Sequence, residues 1–225
     1  MAGARTLLAA TGACALLGAC TRGKDDTARP PLIWIVDDPA RVGGHGTQIV
    51  GAPKALDTER GRAVCFDGAR DGLVIGTNPI AGLAAFTIEL LFRPATAGAS
   101  AQRVVHLADD ASEDRALLET RMTARDRWYL DTFLRAGPDR LTLTRDSAQH
   151  ATGTWYWVAL TYQDQQMRHY VNGSLEASGQ VAFHPLSPGH TSLGMRLNQV
   201  SWFKGCLREL RISPAALPAS QLQRP

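Results

Sequence analysis

Six histidines, His45, His106, His150, His169, His184 and His190, are the first residues to test for chemistry. None stands in a His-x-His or His-Glu-x-x-His arrangement, and none has a cysteine at ligand spacing, so the sequence offers no zinc-type site. His184 and His190 bracket the proline-bearing loop 185–189, which reads as a solvated loop, with a weak metal or ligand contact as the alternative. His45 lies in Gly43-Gly44-His45-Gly46, a glycine-rich loop that follows a strand but opens no helix, which makes it a poor phosphate cradle. Among the acids, retaining cleavage of a glycosidic bond needs two carboxyls about 5–5.5 Å apart, a spacing that same-face neighbours on one strand supply. Glu89 is the only acid in its extended run and reads as a surface or salt-bridged residue rather than a catalytic acid, Glu119 and Glu209 are equally isolated, and no Glu-x-Asp-x-Glu triplet occurs. Ser147 and Ser201 lack the local signature of a nucleophile. The remaining signal is aromatic: Trp128, Tyr129, Trp155, Tyr156, Trp157, Tyr170 and Trp202 are rings on which the CH face of a pyranose can stack.

The cysteines divide by compartment. Residues 1–19 carry one basic residue, Arg5, and an apolar stretch from Leu7 to Leu17, the n-region and h-region of an export signal. The stretch is too short for a finished membrane span, and it ends in Leu17-Gly18-Ala19-Cys20, which resembles a bacterial lipobox. A signal peptide over 1–19 and lipidation of Cys20 are therefore expected, giving an exported lipoprotein on the periplasmic or cell-surface face of a membrane. Residues 20–31 carry charge, two prolines and no apolar periodicity, and read as a flexible tether. Cys14 leaves with the signal, so the exported part keeps Cys65 and Cys206, a disulfide candidate in an oxidising compartment. The 21 arginines and three lysines (Lys24, Lys54, Lys204) outnumber 21 acids by three but form no basic run. A nucleic-acid partner is not expected, because it needs clustered charge.

These residues must be positioned by strands. From Leu32 onward, short apolar runs are separated by Gly, Pro, Asn and Asp with little at helical spacing. Strands are expected at Leu32–Val36, Arg62–Phe66, Leu73–Ile75, Phe86–Phe92, Arg103–Leu107 and Ala116–Arg121. Others are expected at Arg127–Phe133, Leu141–Thr144, Trp155–Tyr162, Met167–Val171, Thr191–Arg196 and Phe203–Ile212. Twelve strands without crossover helices make an all-β, two-layer antiparallel sandwich. Phe86, Ile88, Leu90 and Phe92 alternate onto one face, and Asn172-Gly173 predicts a type I′ hairpin. Only 214–222 looks helical, for a turn or two.

The ordered set Ile33-Trp34-Ile35, Gly44-His45-Gly46-Thr47, Gly51-Ala52-Pro53, Gly61 to Gly68 and Phe86-Thr87-Ile88-Glu89 carries a family pattern. It continues through Trp155 to Tyr162, Tyr170-Val171-Asn172-Gly173, Leu193-Gly194 and Phe203-Lys204-Gly205 into Leu210-Arg211-Ile212. It resembles laminin-G-like domains of the concanavalin A-like lectin/glucanase superfamily over about residues 32–217, leaving 218–225 as a C-terminal tail. The resemblance implies a jelly roll of two curved antiparallel sheets whose terminal strands lie together, which would bring Cys65 and Cys206 close. A phase break between Leu207 and Leu210 suggests a bulge there. Relatives often carry Asp-Glu near a structural calcium where this chain has Arg208-Glu209, so Arg208 disfavours calcium and no cofactor or metal is expected. His169 stands where relatives place an aliphatic core residue.

The fold itself carries lectins, adhesion modules, hydrolases and lyases, so it fixes no chemistry. The family pattern makes Val158, Leu160 and Tyr162 core, which turns Trp157 to the other face; Arg168 and Tyr170 likewise oppose Met167, His169 and Val171. The expected function is a non-catalytic, membrane-tethered module that recognises a glycan or an envelope protein. Its candidate ligand residues are Trp157, Arg168, Tyr170 and Trp202. A polysaccharide hydrolase or lyase of the same superfamily is the alternative, and a structural accessory lipoprotein without a small ligand is a third.

Overall fold

A computed structural model describes residues 1, 3, 30–124 and 126–225. Cys20, and with it the expected lipidation site and nearly all of the leader and tether, lies outside the described residues. In chain order the strands are β1 (Leu32–Ile35), β2 (Arg41–Val42), β3 (His45–Val50), β4 (Lys54–Leu56), β5 (Ala63–Asp67) and β6 (Gly72–Ile75). Then come β7 (Phe86–Pro94), β8 (Ala101–Asp109), β9 (Arg115–Met122), β10 (Arg127–Ala136), β11 (Asp139–Thr144) and β12 (His150–Ala151). The last are β13 (Tyr156–Gln163), β14 (Gln166–Val171), β15 (Ser174–Gln180), β16 (Gly189–Leu193) and β17 (Lys204–Ser213), followed by one 3-10 turn, Ala219–Gln221.

The strands form two antiparallel sheets. The first runs β15-β14-β13-β7-β17-β5-β4, with β1 also paired to β17; the second runs β11-β10-β9-β8-β16-β6-β3-β2, with β12 paired to β10. Neither closes on itself, and the core lies between them, as in a jelly-roll sandwich. From the first sheet Phe86, Ile88, Leu90, Phe92, Val158, Leu160 and Met167 point inward; from the second Leu73, Ile75, Leu107, Leu118, Trp128 and Leu134 meet them. Trp128 packs edge-on against Phe92 at 5.1 Å and donates its indole N–H to the Ala151 carbonyl, so its one polar atom is satisfied. His169 also faces inward and is fully buried. Its Nδ1 lies 3.0 Å from the Thr132 hydroxyl, a polar bond spanning the sandwich between β14 and β10.

Local chemistry explains the corners. Asn172 and Gly173 take φ of 50° and 76°, the left-handed pair that a two-residue hairpin between β14 and β15 requires. The register of β17 shifts between Leu207 and Glu209, a bulge that lets both Leu207 and Leu210 reach the core. Cys65 and Cys206 stand opposite each other in register on β5 and β17 and are joined by a disulfide that spans 141 residues of sequence.

Two expectations are corrected. Gly43 to Gly46 is not wholly loop, because His45 begins β3, which pairs with β6, and its ring packs 5.3 Å from that of Trp34. The run His45-Gly46-Thr47-Gln48 hides this strand, since it lies near the sheet edge and has little apolar alternation. Glu89 is neither at the surface nor in an ion pair among the described residues: it is 3% exposed on the outer face of β7, covered by the C-terminal tail, whose Gln223 N–H donates to its carboxylate at 2.7 Å.

Candidate ligand-binding site

The outer face of the second sheet carries a network of buried and half-buried charged residues. The β9–β10 hairpin places Trp128 opposite Met122, and the same register sets Asp131 opposite Glu119. Arg103 on β8 faces Glu119 from the other side, so three charged residues stand in a row across three strands. Arg103 pairs with Glu119, while Arg121 reaches Asp131 at 2.6 Å and Glu119 at 3.6 Å. The two carboxylate side chains are only 3% and 1% exposed. Burial, and then the neighbouring Asp131, push the Glu119 carboxyl up to about 7, against the pull of Arg103 and Arg121. The Glu119 carboxyl is therefore partly protonated near neutrality. Sequence parity missed the pair because its members lie on different strands, brought together only by the register of β9 and β10.

Further along the same face the groups are mostly donors. A register shift between Arg103 and Val105 lets Val104 and Val105 both enter the core, so that Arg103 and His106, three residues apart, both face outward. The His106 Nδ1 accepts the Leu197 backbone N–H at 3.1 Å, which puts the proton of the neutral ring on Nε2, where it has no acceptor among the described residues. Burial, then Arg196, Arg115 and Arg103, press the His106 pKa down to about 3, so the ring is neutral at physiological pH. Arg115 lies over the Phe133 ring at 4.9 Å, and its pKa is lowered by burial and by the approach of Arg196 and Arg135. Phe133 and Tyr129 are half-buried and project from β10 beside these guanidinium groups. Half-exposed rings amid oriented donors are what a sugar-binding surface requires.

The residues singled out by sequence fall on two sides of the molecule. Trp157 does turn away from the main core, but it is 8% exposed, packed with Trp155, Leu91, Ala63 and Cys206. It offers no open platform, because neighbouring strands and the Cys65–Cys206 bridge close over it. Tyr170 is also outward and 6% exposed, lying under Leu222 and Leu217 of the C-terminal tail. Together with the half-buried Arg168 it lines a cleft of about 440 Å³ whose other walls are Thr161, Gln163, Asp164, Gln166 and Ala216 to Pro218. Trp202 is half-buried on the opposite side, in the segment between β16 and β17. Its neighbour Ser201 accepts the Arg103 backbone N–H and lies 3.4 Å from the Arg103 guanidinium. Arg208 sits at the β17 bulge and donates to the Arg60 carbonyl. Among the described residues, no three His, Cys, Asp or Glu side chains come together to hold a metal ion.

The two-sheet architecture with one decorated outer face defines a lectin-like jelly roll. A laminin-G-type family model described as the concanavalin A-like lectin/glucanases superfamily matches residues 67–223, and the chain belongs to that superfamily. Among curated proteins none matches it by sequence. Among solved structures, domain 4 of a GH43 extracellular arabinanase from Geobacillus stearothermophilus, in complex with arabinotriose, is similar at a TM-score of 0.62 and 20% identity. The match covers 84% of this chain and 94% of that one. A heptameric SAP-like pentraxin from Limulus polyphemus matches at a TM-score of 0.58 and 18% identity, over 71% of this chain and 78% of that one. The receptor binding domain of botulinum neurotoxin D matches at 0.63 and 13% identity, over 84% of this chain and 50% of that one. At these identities the likeness is one of fold.

Proposed function

We propose that the chain is a non-catalytic glycan-binding module, exported and held at a membrane through Cys20, whose ligand lies on the outer face of the second sheet. The observation that carries this reading is the assembly of Arg103, Arg115, Arg121, His106, Tyr129 and Phe133 on one half-buried surface, with polar groups of His106 and Arg115 left without a partner. Buried polar groups normally find partners, so unmatched ones on a face invite a ligand. Domain 4 of the arabinanase was captured with arabinotriose, and a neurotoxin relative in structure is described as interacting with two ganglioside molecules, which supports a sugar as the ligand class.

A second reading, a polysaccharide-cleaving enzyme, is favoured by one observation, Glu119 with its carboxyl pushed up to about 7 opposite Asp131. Against it, both carboxylates are buried and held by arginines, where an acid must reach a glycosidic oxygen. The test is affinity electrophoresis of the full chain through a panel of neutral and acidic polysaccharides, with reducing ends and unsaturated sugars assayed in parallel. Retardation without product is expected, and Phe133→Ala should weaken it about fivefold, the worth of one ring contact. Product that disappears in Glu119→Gln would establish the enzyme instead. Failure of Cys20→Ala to release the protein from membranes would refute the anchor.

A further inference from the structure

The donors on this face outnumber its acceptors. Arg103 is matched by Glu119, Arg121 by Asp131 and Arg135 by Glu113. Arg115 and Arg196 form no ion pair among the described residues, and the nearest protein acceptor of Arg115 is the Glu113 backbone carbonyl. Arg196 lies close enough to repel both Arg115 and a proton on His106. His106 itself is 4% exposed, and its Nε2–H has no acceptor among the described residues. The three are brought together by structure rather than sequence: His106 lies opposite Leu117 on β9, two residues from Arg115 along the same face. Leu197, next to Arg196, is tied to the His106 ring. Glu113 and Glu119 act on Arg115 from nearby, but each is ion-paired to another arginine, Arg135 and Arg103; two cations and a fixed neutral N–H complement an oxyanion. Half-burial strengthens each such bond relative to water.

We propose that Arg115, Arg196 and His106 form a subsite for the carboxylate or sulfate group of an acidic sugar, so that the module selects acidic over neutral glycans. The assignment rests on the glycan-binding reading. Phe133, beneath the Arg115 guanidinium, then supplies a ring surface next to the anion, which a simple inorganic ion would not use.

The experiment measures the affinity of the full chain for polygalacturonate, dextran sulfate and neutral arabinan at low and moderate salt. Wild type, Arg196→Gln, Arg115→Gln and the double variant are compared with Arg62→Gln, which removes the same charge from an exposed site paired only with Asp57. Arg196→Gln should weaken binding of the preferred polyanion about tenfold and the double variant further, as loss of charge-assisted hydrogen bonds implies. Arabinan binding and Arg62→Gln should be unchanged, and the tighter of the two polyanions identifies the group. Should Arg115→Gln fail to fold, Arg196→Gln, a half-buried residue of a connecting segment, carries the test. Equal losses in Arg62→Gln and Arg196→Gln would mean bulk charge only and overturn the subsite. Binding to arabinan but to neither polyanion would overturn it while leaving the module reading intact; binding to none of the three would overturn both.

Discussion

An acid that is alone on its strand finds company only across the sheet, and Glu119 shows what that company does. It shares a buried row with Asp131 and two arginines, and its carboxyl is pushed up to about 7 by burial first and by Asp131 second. Because the folded value lies above the ordinary 4.5, the native state holds this proton more tightly than the unfolded chain does. Its contribution to stability is therefore complete below about pH 4.5 and is lost as pH rises towards 7, a swing of about 3 kcal/mol. Glu119→Gln fixes the neutral form and removes this contribution, so the gain in urea stability with pH between about pH 4.5 and about pH 6.5, where the buried histidines act in the opposite sense, should steepen, and the decline between about pH 6.5 and about pH 8 should flatten. An unchanged slope would mean that the proton resides elsewhere. The individual residues of this row were visible in the sequence, but their meeting was not: the bulge in β8 and the hairpin register of β9 and β10 create the site, and neither leaves an apolar period to read.

At the scale of elements, the strands that alternate cleanly were the legible ones. β7, β13 and β14 follow from their apolar spacing, the Asn172-Gly173 turn from its backbone demands, and the β17 bulge from a broken phase. The short edge strands β2, β3, β4 and β12 were not legible, because partner backbones rather than apolar side chains define them. Nor could sequence reveal that the C-terminal tail is a strap. It crosses the outer face of the first sheet, where the Leu217 and Gln223 N–H groups donate to Thr87 and Glu89 and Leu222 seals Tyr170. That is why Tyr170, correctly read as outward, is nonetheless buried. Leu222→Ala should cost about 2 kcal/mol, the low end for a core leucine because this satellite cluster can relax. It should also speed hydrogen exchange at the Leu217 and Gln223 amides while leaving those of β8–β10 unaffected. If neither the urea midpoint nor those amides respond, the tail is not latched to the sheet by Leu222.

For the whole molecule, the pH dependence of folding sums groups on both sides of the sandwich. His169, wholly buried with only Thr132 as partner, is pressed down to about 4 by burial, and His106 to about 3 by burial and nearby arginines. Both lie below the ordinary 6.5, so the unfolded chain takes up their protons first and acid destabilises the fold from about pH 6.5 downward. Between about pH 6.5 and about pH 4.5 Glu119 opposes them, since it gains its proton on folding, and Glu89, pushed up by burial, acts in the same sense; for His106, His169 and Glu119 alone the net uptake on unfolding is about one proton, or about 1.4 kcal/mol per pH unit. Below pH 4.5 Glu119 is protonated in both states and its opposition ends, so the slope should roughly double until His169 titrates near 4. Replacing His169 and Thr132 together by Leu and Val removes the buried polar pair without stranding either member, which limits the pH-independent cost. Urea titrations of this double variant should retain a stable fold at about pH 7 and lose about half of the steep limb below about pH 4.5. A limb as steep as that of the wild type would assign the acid sensitivity to the outer face rather than to the core, and would remove His169 as its source.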